Sequence, residues 1–475
     1  MSTFGGLNTA YTGLVAARQG LDVVGQNIAN ANTDGYTRQR VSTSALGATA
    51  STGVFTQGAR VGEGVAMDGI MRLASAQLDA RVRATAATAG YTAVRANALA
   101  SVEDSLNEPG EDGISAKLDE FWAGWQTLSN GTDTAAPAAL LLGTAGELVT
   151  QISEGYRAVS TAWSSVRTDL NNMVSELNGA ATQVAALNVQ IRQSLATGGT
   201  ANELLDQRTT LTTTIAALTG ATVTERADGT VNVLVGGNAL VSGGTAHQLG
   251  VTGARVMPDN KSVQLEWTDN SQTPVSMDGG EIAGALSLLA PAARNGAGGA
   301  LAEAAASYNS FASDLATKVN DIYTGGDAQA PAFFEFSGLA PAAQNLRVVP
   351  TSSADLAVGA DGAGAYDGSI ADAIAQLGAG FAADGTAIVS PSTVWSDFVT
   401  KTGVLTQTEL QSAALASSTA AGAGNQQLAN SSVDLDEENV NLLMFQHAYQ
   451  GAARMMTAVD EMLDTLINRT GLVGR

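Results

Sequence analysis

The sequence contains no cysteine and only two histidines, His247 and His447. Without cysteine, the chain can form neither a disulfide framework nor a thiolate metal site. The two histidines lie far apart in the chain, which argues against a histidine metal site or a catalytic triad. We therefore expect no metal, no cofactor and no catalytic residue.

Basic residues are also scarce, because 23 Lys and Arg stand against 45 Asp and Glu, for a formal net charge of −22. Nucleic acids and anionic membrane surfaces need a basic face, so we expect neither as a partner.

No stretch approaches the roughly 18 to 20 apolar residues of a membrane span. The N-terminus lacks a basic segment followed by an apolar one, so we expect an exported chain to use no ordinary cleaved signal peptide.

Aromatic side chains make up only 5% of the sequence, whereas 45% of the residues are hydrophobic and 53 are glycines. This composition suits close-packed helices and strands that turn at glycine. The length of 475 residues exceeds that of one ordinary core and predicts two to four domains.

Near the N-terminus, apolar residues recur every three or four positions, which is the spacing of an amphipathic helix. The stripe consists of Leu7, Tyr11, Leu14, Ala17, Leu21, Val24 and Ile28. A helix this short, with nothing local to pack on, is marginal by itself in water.

The segment QNIANANTDGYTRQR, from Gln26 to Arg40, ends this helix. Asparagine tolerates the left-handed conformation that terminates helices, and its side chain bonds to nearby backbone. Asp34-Gly35 is a turn pair, and YTRQRV alternates as an extended segment does. The segment predicts that the chain leaves the helix and returns in another direction. Residues 58–72, GARVGEGVAMDGIMR, then predict glycine-punctuated strands.

The strongest periodic signal lies in the centre of the chain, where apolar residues alternate in steps of four and three. Its members are Ile152, Tyr156, Val159, Trp163, Val166, Leu170, Met173, Leu177, Ala180, Val184, Leu187 and Ile191. This heptad seam predicts a continuous helix of about 60 Å. We expect the next helix to begin with a capping box of Thr200 and Glu203 and to stop at Gly220.

From Val223 the period changes to two, which predicts strands. Asp228-Gly229 lies between alternating runs as a hairpin turn. The run ARVMPDNKSVQLEW repeats this scheme around Pro258-Asp259-Asn260. A β-rich region is therefore expected from about residue 221 to 290. Residues 301–323 return to a helical period, and 325–390 show few periodic cues.

A helical pattern resumes at about Thr393 and is expected to continue to the end of the chain. Its seam near the C-terminus consists of Leu442, Phe445, Tyr449, Ala452, Met456, Val459, Leu463 and Leu466. The acidic run that begins at Asp434 lacks the calcium-loop spacing. Carboxylates at this position instead favour the positive end of a helix dipole.

These patterns predict a multidomain α+β fold with a coiled-coil-like stem of long helices built from both termini and β-rich domains inserted in the middle. The terminal helical arms are residues 1–40 and 430–475. The stem domain comprises 41–220, 301–325 and 393–429, with short N-terminal strands. The inserted β-rich domain is 221–300, and 326–392 is a loop-rich outer segment.

Both ends of the chain resemble the bacterial flagellar rod, hook and hook-associated proteins. At the N-terminal end the resemblance lies in NIANANTDGYTRQR and VGEGVAMDGIMR. At the other end it lies in VDLDEENVNLLMFQHAYQGAARMMTAVDEMLDTLINR. The central NELLDQRTTLTTTIAALTGATVTERADGTVNVLVGGNALVSGG is similar to the hook-associated member that joins hook to filament.

The resemblance implies a structural subunit that is no enzyme, is exported by the flagellar type III pathway, and lies outside the cell at the hook–filament junction. It implies partners among copies of the chain itself, the hook protein, a second hook-associated junction protein and a flagellar export chaperone. Another axial protein, such as the hook protein or the second junction protein, is the alternative within this family. A surface adhesin or hydrolase is the alternative outside it, although the outer domain shows no paired carboxylates at a suitable spacing.

The resemblance also assigns roles to two sets of residues. The family's signature turn corresponds to Asn27, Asn30, Asn32, Thr33, Gly35 and Tyr36. The expected assembly interface consists of Leu7, Leu14, Leu21 and Ile28 in the first arm, and Leu442, Phe445, Tyr449, Met456, Val459, Leu463 and Leu466 in the last.

Overall fold

The computed structural model describes residues 3–47, 62–131, 135–257, 261–269, 274–277, 279–293, 295–327, 329–338, 341–359 and 367–469. The helices are α1 (Thr3–Ala29), α2 (Ala76–Leu106), α3 (Ile114–Ser129), α4 (Ala135–Ala196), α5 (Asn202–Thr219), α6 (Gly280–Leu289), α7 (Ala300–Tyr323), α8 (Ala342–Asn345), α9 (Ser369–Gly378), α10 (Pro391–Ser431) and α11 (Leu435–Asp464). The strands are β1 (Gln39–Leu46), β2 (Gly64–Arg72), β3 (Thr222–Glu225), β4 (Val231–Val235), β5 (Asn238–Ser242), β6 (Thr245–Ala246), β7 (Leu249–Thr252), β8 (Gln264–Trp267), β9 (Phe334–Phe336) and β10 (Leu346–Val348).

The chain is a multidomain α+β protein whose two ends pack on each other in nested order. The first helix, α1, packs on the last, α11, while α2 packs on α10. Small antiparallel sheets are attached to this helical stem: β1 pairs with β2, β3 to β6 form a meander, β7 pairs with β8, and β9 pairs with β10. The predicted stem built from both termini is confirmed.

The helix α4 is the central rod, and it is longer than predicted. The predicted seam is buried along its whole length, apart from Met173, which is partly buried against the same core. The heptad spacing continues upstream through Ala138, Leu141, Ala145 and Leu148, which are also buried. At 1.5 Å per residue, the 62 residues of α4 span about 93 Å rather than about 60 Å.

The hairpin prediction at Asp228-Gly229 is confirmed. Gly229 has φ 80°, and β3 and β4 pair across it. The second hairpin consists of β7 and β8, so its first strand is LGVT and not the predicted ARVM. The predicted turn at residues 258–260 lies outside the described residues.

The predicted β-rich region does not extend to residue 300, because α6 is a buried helix. Its run of apolar residues is short enough for periodicity to leave helix and strand undecided. Packing against α2 decides the matter, since a Cβ on Gly284 would lie 2.7 Å from the carbonyl oxygen of Tyr91. The outer segment likewise carries β9, β10 and α9 between its loops. The boundaries of the domains themselves stay predictions.

The helix α5 starts differently from the prediction but ends as predicted. The helix α5 begins at Asn202 with Ala201 as its N-cap, without the capping box of Thr200 and Glu203. The Glu203 carboxylate instead accepts a hydrogen bond from Gln39 Nε2, so a tertiary contact replaces the local one. At the other end, Gly220 terminates α5 with φ 71°, as predicted.

The C-terminal helical pattern is broken once and is not continuous. The helix α10 ends at Ser431, and α11 begins after Asp434, whose carboxylate accepts hydrogen bonds from the backbone N–H groups of Asp436 and Glu437. The prediction that the acidic run starts a helix is therefore confirmed. The break follows from this cap, because a capping residue has extended backbone geometry.

One helix among the described residues, α4, contains a stretch long and apolar enough to cross a membrane by length and composition alone. This differs from the sequence expectation. Core helices of water-soluble proteins meet the same criterion, and the seam of α4 is packed against α3, α5, α6 and α7. We therefore assign α4 to the protein core.

Replacing Leu170 by Asp should place a charge in the fully buried seam of α4. We expect Leu170→Asp to lower the free energy of unfolding by on the order of 4 kcal/mol, which denaturant titration can measure. Asn172→Asp adds the same charge at an exposed position of the same helix, and it should leave stability within about 0.5 kcal/mol of the parent. Equal stability of the two variants would contradict the register of the seam.

Candidate assembly site

The helices α1 and α11 pack antiparallel, and α1 contributes its smallest residues to the contact. A Cβ added to Gly20 would meet the ring of Phe445 at 2.5 Å, and one added to Gly6 would lie 3.8 Å from Val459 Cγ2. The seam of α1 consists of Gly6, Ala10, Gly13, Ala17, Gly20, Val24 and Asn27. Small residues at this spacing allow the two helix backbones to approach closely.

The register between the two helices repeats every heptad. Gly6 faces Val459, Gly20 faces Phe445, and Asn27 faces Glu438, each pair lying a whole number of heptads from the others. The same register places Gly13 opposite Ala452. Beyond the neighbouring backbone of α1 itself, no atom of the described residues lies within 4 Å of the Cβ position of Gly13, so the seam is under-filled at this step.

Five members of the predicted stripe of α1 lie beside this seam, whereas Ala17 and Val24 lie inside it and are buried. Leu7, Leu14, Leu21 and Ile28 each follow a seam residue by one position and are partly buried. They flank the helix pair and leave apolar surface open to solvent.

In α11, the predicted interface residues divide between the seam and its borders. Val459 is buried, and Phe445 lies partly buried over Gly20. Leu442, Met456 and Leu463 are partly buried, whereas Tyr449 is exposed, as is Leu466, which lies just beyond the end of α11. Phe445 and Val459 are thus already enclosed within one chain, and the assignment of the remaining residues to contacts between subunits stays a prediction.

The structure places a further apolar stripe on α11 that the sequence analysis missed. Val440, Met444, Met455 and Met462 are all exposed, with Ala448, Gly451 and Ala458 between them. Their helical spacing was available in the sequence, but it is masked there by the larger side chains of the neighbouring seam.

The side chain of Asn27 ties the signature turn to both terminal helices. Its Nδ2 donates to the carbonyl oxygen of Gln39 at 2.9 Å and to Glu438 Oε2 at 3.2 Å. Its Oδ1 accepts from Gln39 N at 3.0 Å and from Tyr36 Oη at 2.9 Å. Asn27 is only 1% exposed, and its buried amide has both donors and both lone pairs satisfied.

Arg38 joins the same network from the other side of the turn. Its guanidinium contacts Glu438 at 2.7 Å and Glu437 at 2.8 Å, and its backbone N–H donates to the carbonyl oxygen of Ser431 at 2.8 Å. The Glu438 side chain is only 1% exposed. Arg38 therefore clamps the break between α10 and α11 against the N-terminal turn.

The turn is anchored to the stem by a second ion pair. Arg72 Nη2 lies 2.6 Å from Asp206 Oδ1, and the backbone N–H of Thr37 donates to Asp206 Oδ2 at 3.2 Å. Asn202 Nδ2 donates to Gln39 Oε1 at 3.0 Å. Residues 36–39 thus connect α1, α11, the end of β2 and the start of α5.

The other signature residues shape the turn itself. Asn30 Nδ2 donates to the carbonyl oxygen of Gln26, and Thr33 Oγ1 donates to Asn30 Oδ1. Gly35 has φ 76°, and a Cβ there would meet Thr210 Oγ1 at 2.7 Å, so both conformation and space require glycine. Asn32 is exposed.

The electrostatics of the network favour a neutral tyrosine beside charged partners. Burial, together with the charges of Glu203, Asp206 and Glu438, raises the pKa of Tyr36 to about 12. The hydrogen bond from Arg38 lowers the pKa of Glu437. Glu437 and Arg38 therefore remain oppositely charged at neutral pH.

Sequence reasoning identified Asn27 and Tyr36 but missed the partners that give them a role. Arg38, Arg72, Asp206 and Glu438 come from four separate stretches of the sequence, and no local spacing links them. Among the described residues, no group of three or more Asp, Glu or His side chains could hold a metal ion.

Comparison with known proteins gives matches in three regions of the chain. The helical domain of the flagellar hook-associated protein FlgK matches residues 99–331. The flagella basal body rod protein family matches residues 7–37, and the C-terminal family of the flagellar basal body rod FlgEFG proteins matches 425–469.

Similar proteins match over the whole chain or much of it. Flagellar hook-associated protein 1 of Bacillus subtilis is 30% identical over 512 aligned positions, covering 100% of both chains. That of Salmonella typhimurium is 29% identical over 289 positions, covering 59% of this chain and 51% of the relative. The solved flagellar hook junction protein FlgK from Burkholderia pseudomallei has a TM-score of 0.61 at 14% identity, covering 76% of this chain and 100% of that one, which shows a shared fold.

Replacing seam glycines by alanine should have opposite effects at Gly13 and Gly20. Alanine gains about 1 kcal/mol in helix propensity at either position. At Gly13 the methyl group enters open space, so Gly13→Ala should slow hydrogen exchange in α1. At Gly20 it collides with Phe445 at 2.5 Å, at a cost of about 2 to 3 kcal/mol, which exceeds the gain in helix propensity, so Gly20→Ala should speed exchange. Equal effects of the two variants would contradict the register.

Asn27→Asp should open the clamp, by which we mean the buried contacts among Asn27, Arg38 and Glu438. The substitution removes two hydrogen-bond donors and places a carboxylate beside Glu438. We expect a cost of about 3 kcal/mol, roughly a hundredfold faster hydrogen exchange in α1 and α11. Asn32→Asp adds the same charge at an exposed position of the same turn and should leave exchange nearly unchanged. Equal rates of hydrogen exchange in the two variants would show that Asn27 does not hold the terminal helices together.

Alkaline pH should weaken the clamp through Tyr36. Its pKa in the folded chain, about 12, exceeds the ordinary value of 10.0, so its contribution to stability is fully present below about pH 10 and is lost as pH rises through 12. The difference in phenolate absorbance between the parent and Tyr36→Phe isolates this group during a titration. A midpoint near the ordinary tyrosine value would contradict the burial described here.

Proposed function

The chain belongs to the family of flagellar hook-associated protein 1, and we propose that it joins the flagellar hook to the filament. Members of this family are structural proteins of the bacterial flagellum, so the chain is a flagellar structural protein and not a member of an enzyme family. The observation that carries the proposal is the full-length similarity to hook-associated protein 1, with the helical domain placed between two rod-type ends.

The terminal helix pair is the proposed assembly element. One apolar surface, the leucine stripe, consists of Leu7, Leu14, Leu21 and Ile28. The other, the methionine stripe, consists of Val440, Met444, Met455 and Met462. Full burial of an exposed side chain of this size is worth roughly 1.5 to 3 kcal/mol, and enclosure by a neighbouring subunit adds the part of it that corresponds to the area still open to solvent.

The two stripes lie on opposite sides of the pair. In α1 the leucine stripe follows the seam by one residue, as Leu14 follows Gly13. In α11 the methionine stripe precedes the seam by one residue, as Met444 precedes Phe445. Viewed along one direction, successive residues turn clockwise in one of two antiparallel helices and counterclockwise in the other. A displacement of one residue forward in α1 and one residue backward in α11 therefore points to opposite sides of the pair. A subunit with different docking surfaces on two sides repeats head to tail and builds a helical tube.

This arrangement supports specific partners for each part of the chain. The helix pair contacts copies of the chain itself, and the ends of the assembled layer meet the hook protein and the second hook-associated junction protein. The acidic net charge suits neither nucleic acid nor an anionic membrane as a partner. Export through the flagellar type III pathway, with a dedicated chaperone, delivers the chain to the outside of the cell.

Another axial protein of the flagellum is the alternative within the wider group. The match to the hook-associated helical domain over residues 99–331 favours the junction protein over the hook protein. A deletion strain separates these functions. Normal hooks with unpolymerised filament protein in the medium support the junction role, whereas missing hooks contradict it.

Charges placed on the methionine stripe should abolish joining without unfolding the monomer. Met444 and Met462 are exposed in the chain, so Met444→Asp with Met462→Asp should leave thermal unfolding nearly unchanged. In a deletion strain, this variant should be exported but should release filament protein to the medium. Gln450→Asp with Thr457→Asp adds the same charge on the exposed polar face of α11 and should restore motility. Full motility with the methionine variant would exclude this stripe as the joint.

A further inference from the structure

The methionines of this chain are concentrated in α11. The sequence has 10 methionines, and four of them, at positions 444, 455, 456 and 462, lie in this helix. Met444, Met455 and Met462 are 54%, 55% and 51% exposed and share one stripe, whereas Met456 is partly buried at the border of the seam. Three thioethers are thus open to solvent along the surface proposed for docking.

The other described methionines provide an internal comparison. Met67 and Met71, in β2, are 44% and 53% exposed and lie outside both stripes. Met173, Met257 and Met277 are partly buried against the core. Exposure governs the rate at which a thioether meets a dissolved oxidant. The two exposed methionines of β2 and the three of the methionine stripe should therefore react before the three that are partly buried against the core.

We propose that Met444, Met455 and Met462 form an oxidant-sensitive modification site that controls joining, an inference that rests on the proposed docking role of α11. The oxidant is a peroxide of the hydrogen peroxide class. A sulfur lone pair attacks one peroxide oxygen, the O–O bond breaks, and an S–O bond forms. Sulfur loses two electrons to give the sulfoxide, and the peroxide is reduced to water.

Oxidation has a larger effect here than at scattered methionines, for a structural reason. A sulfoxide is polar and chiral, whereas the thioether is apolar and adaptable. The three changes fall on one stripe, and every subunit of a layer repeats them at the same contact. Once subunits are joined, the neighbouring chain covers the stripe, so the site reacts only before assembly.

The experiment uses the full-length chain and hydrogen peroxide. The purified monomer is oxidised to a limited extent, the sulfoxides are located by mass spectrometry, and binding to hooks isolated from a deletion strain is measured. We expect chains oxidised at the three positions to bind at least tenfold less than untreated chains. Methionine sulfoxide reductases with a dithiol, which is oxidised to a disulfide as the sulfoxide loses its oxygen to water, should restore binding.

A matched variant separates the stripe from general damage. Met67→Leu with Met71→Leu removes the exposed methionines outside the stripe and should show the same loss of binding after peroxide as the parent. Unchanged binding by chains oxidised at all three stripe positions overturns the inference. So does a loss of binding that disappears in the Met67 and Met71 variant, because oxidation outside the stripe would then be the cause.

A second measurement distinguishes this inference from the proposed function. Assembled hook–junction complexes are treated with the same peroxide, and the rates of sulfoxide formation are compared with those of the monomer. Protection of the three methionines supports the docking surface, and if oxidised monomers nevertheless bind fully, only the oxidation inference fails. Equal rates in monomer and complex show that the stripe stays uncovered, and the proposed docking surface fails with it.

Discussion

The buried contact between the N-terminal turn and the start of α11 is the constraint on which the arrangement of this chain depends. Asn27 and Glu438 are 411 residues apart in sequence and are joined at 3.2 Å. A buried carboxylate is stable only when a cation and hydrogen-bond donors surround it. Arg38 and the Asn27 amide supply both, so the two ends of the chain have to meet at this point. Arg72 and Asp206 then fix the joined ends to the stem.

The small-residue seam of α1 explains how a thin helix pair exposes so much apolar surface. Glycine and alanine face α11, which allows close approach of the backbones and leaves the larger leucines beside the contact. In a protein that acted alone, such surface would be a liability for aggregation. In a subunit that repeats one contact, it supplies the area that holds neighbours together.

The sequence predicted the elements whose signals lie in neighbouring residues. The heptad seam of α4, the Asp228-Gly229 hairpin, the stop at Gly220 and the helix start at Asp434 depend on spacing or on single turn residues, which tertiary contacts leave unchanged. The errors occurred where a tertiary contact competed with a local signal. Glu203 was predicted to form a capping box but instead accepts a hydrogen bond from Gln39. The short apolar run of α6 is a helix, because Gly284 fits against the backbone of α2.

The sequence by itself determined that the chain is an α+β protein with helical ends, no cysteine chemistry and the signatures of a flagellar axial protein. It determined these because composition, period and motif are properties of neighbouring residues. Only the tertiary structure decided which face of each terminal helix is occupied and which is free. The apolar spacing of the sequence places Leu21 on the stripe, whereas in the structure its neighbour Gly20 faces α11, where the ring of Phe445 packs against it. The clamp of Asn27, Arg38 and Glu438 belongs to the same class, because hydrogen bonds across 400 residues are made only once the chain has folded.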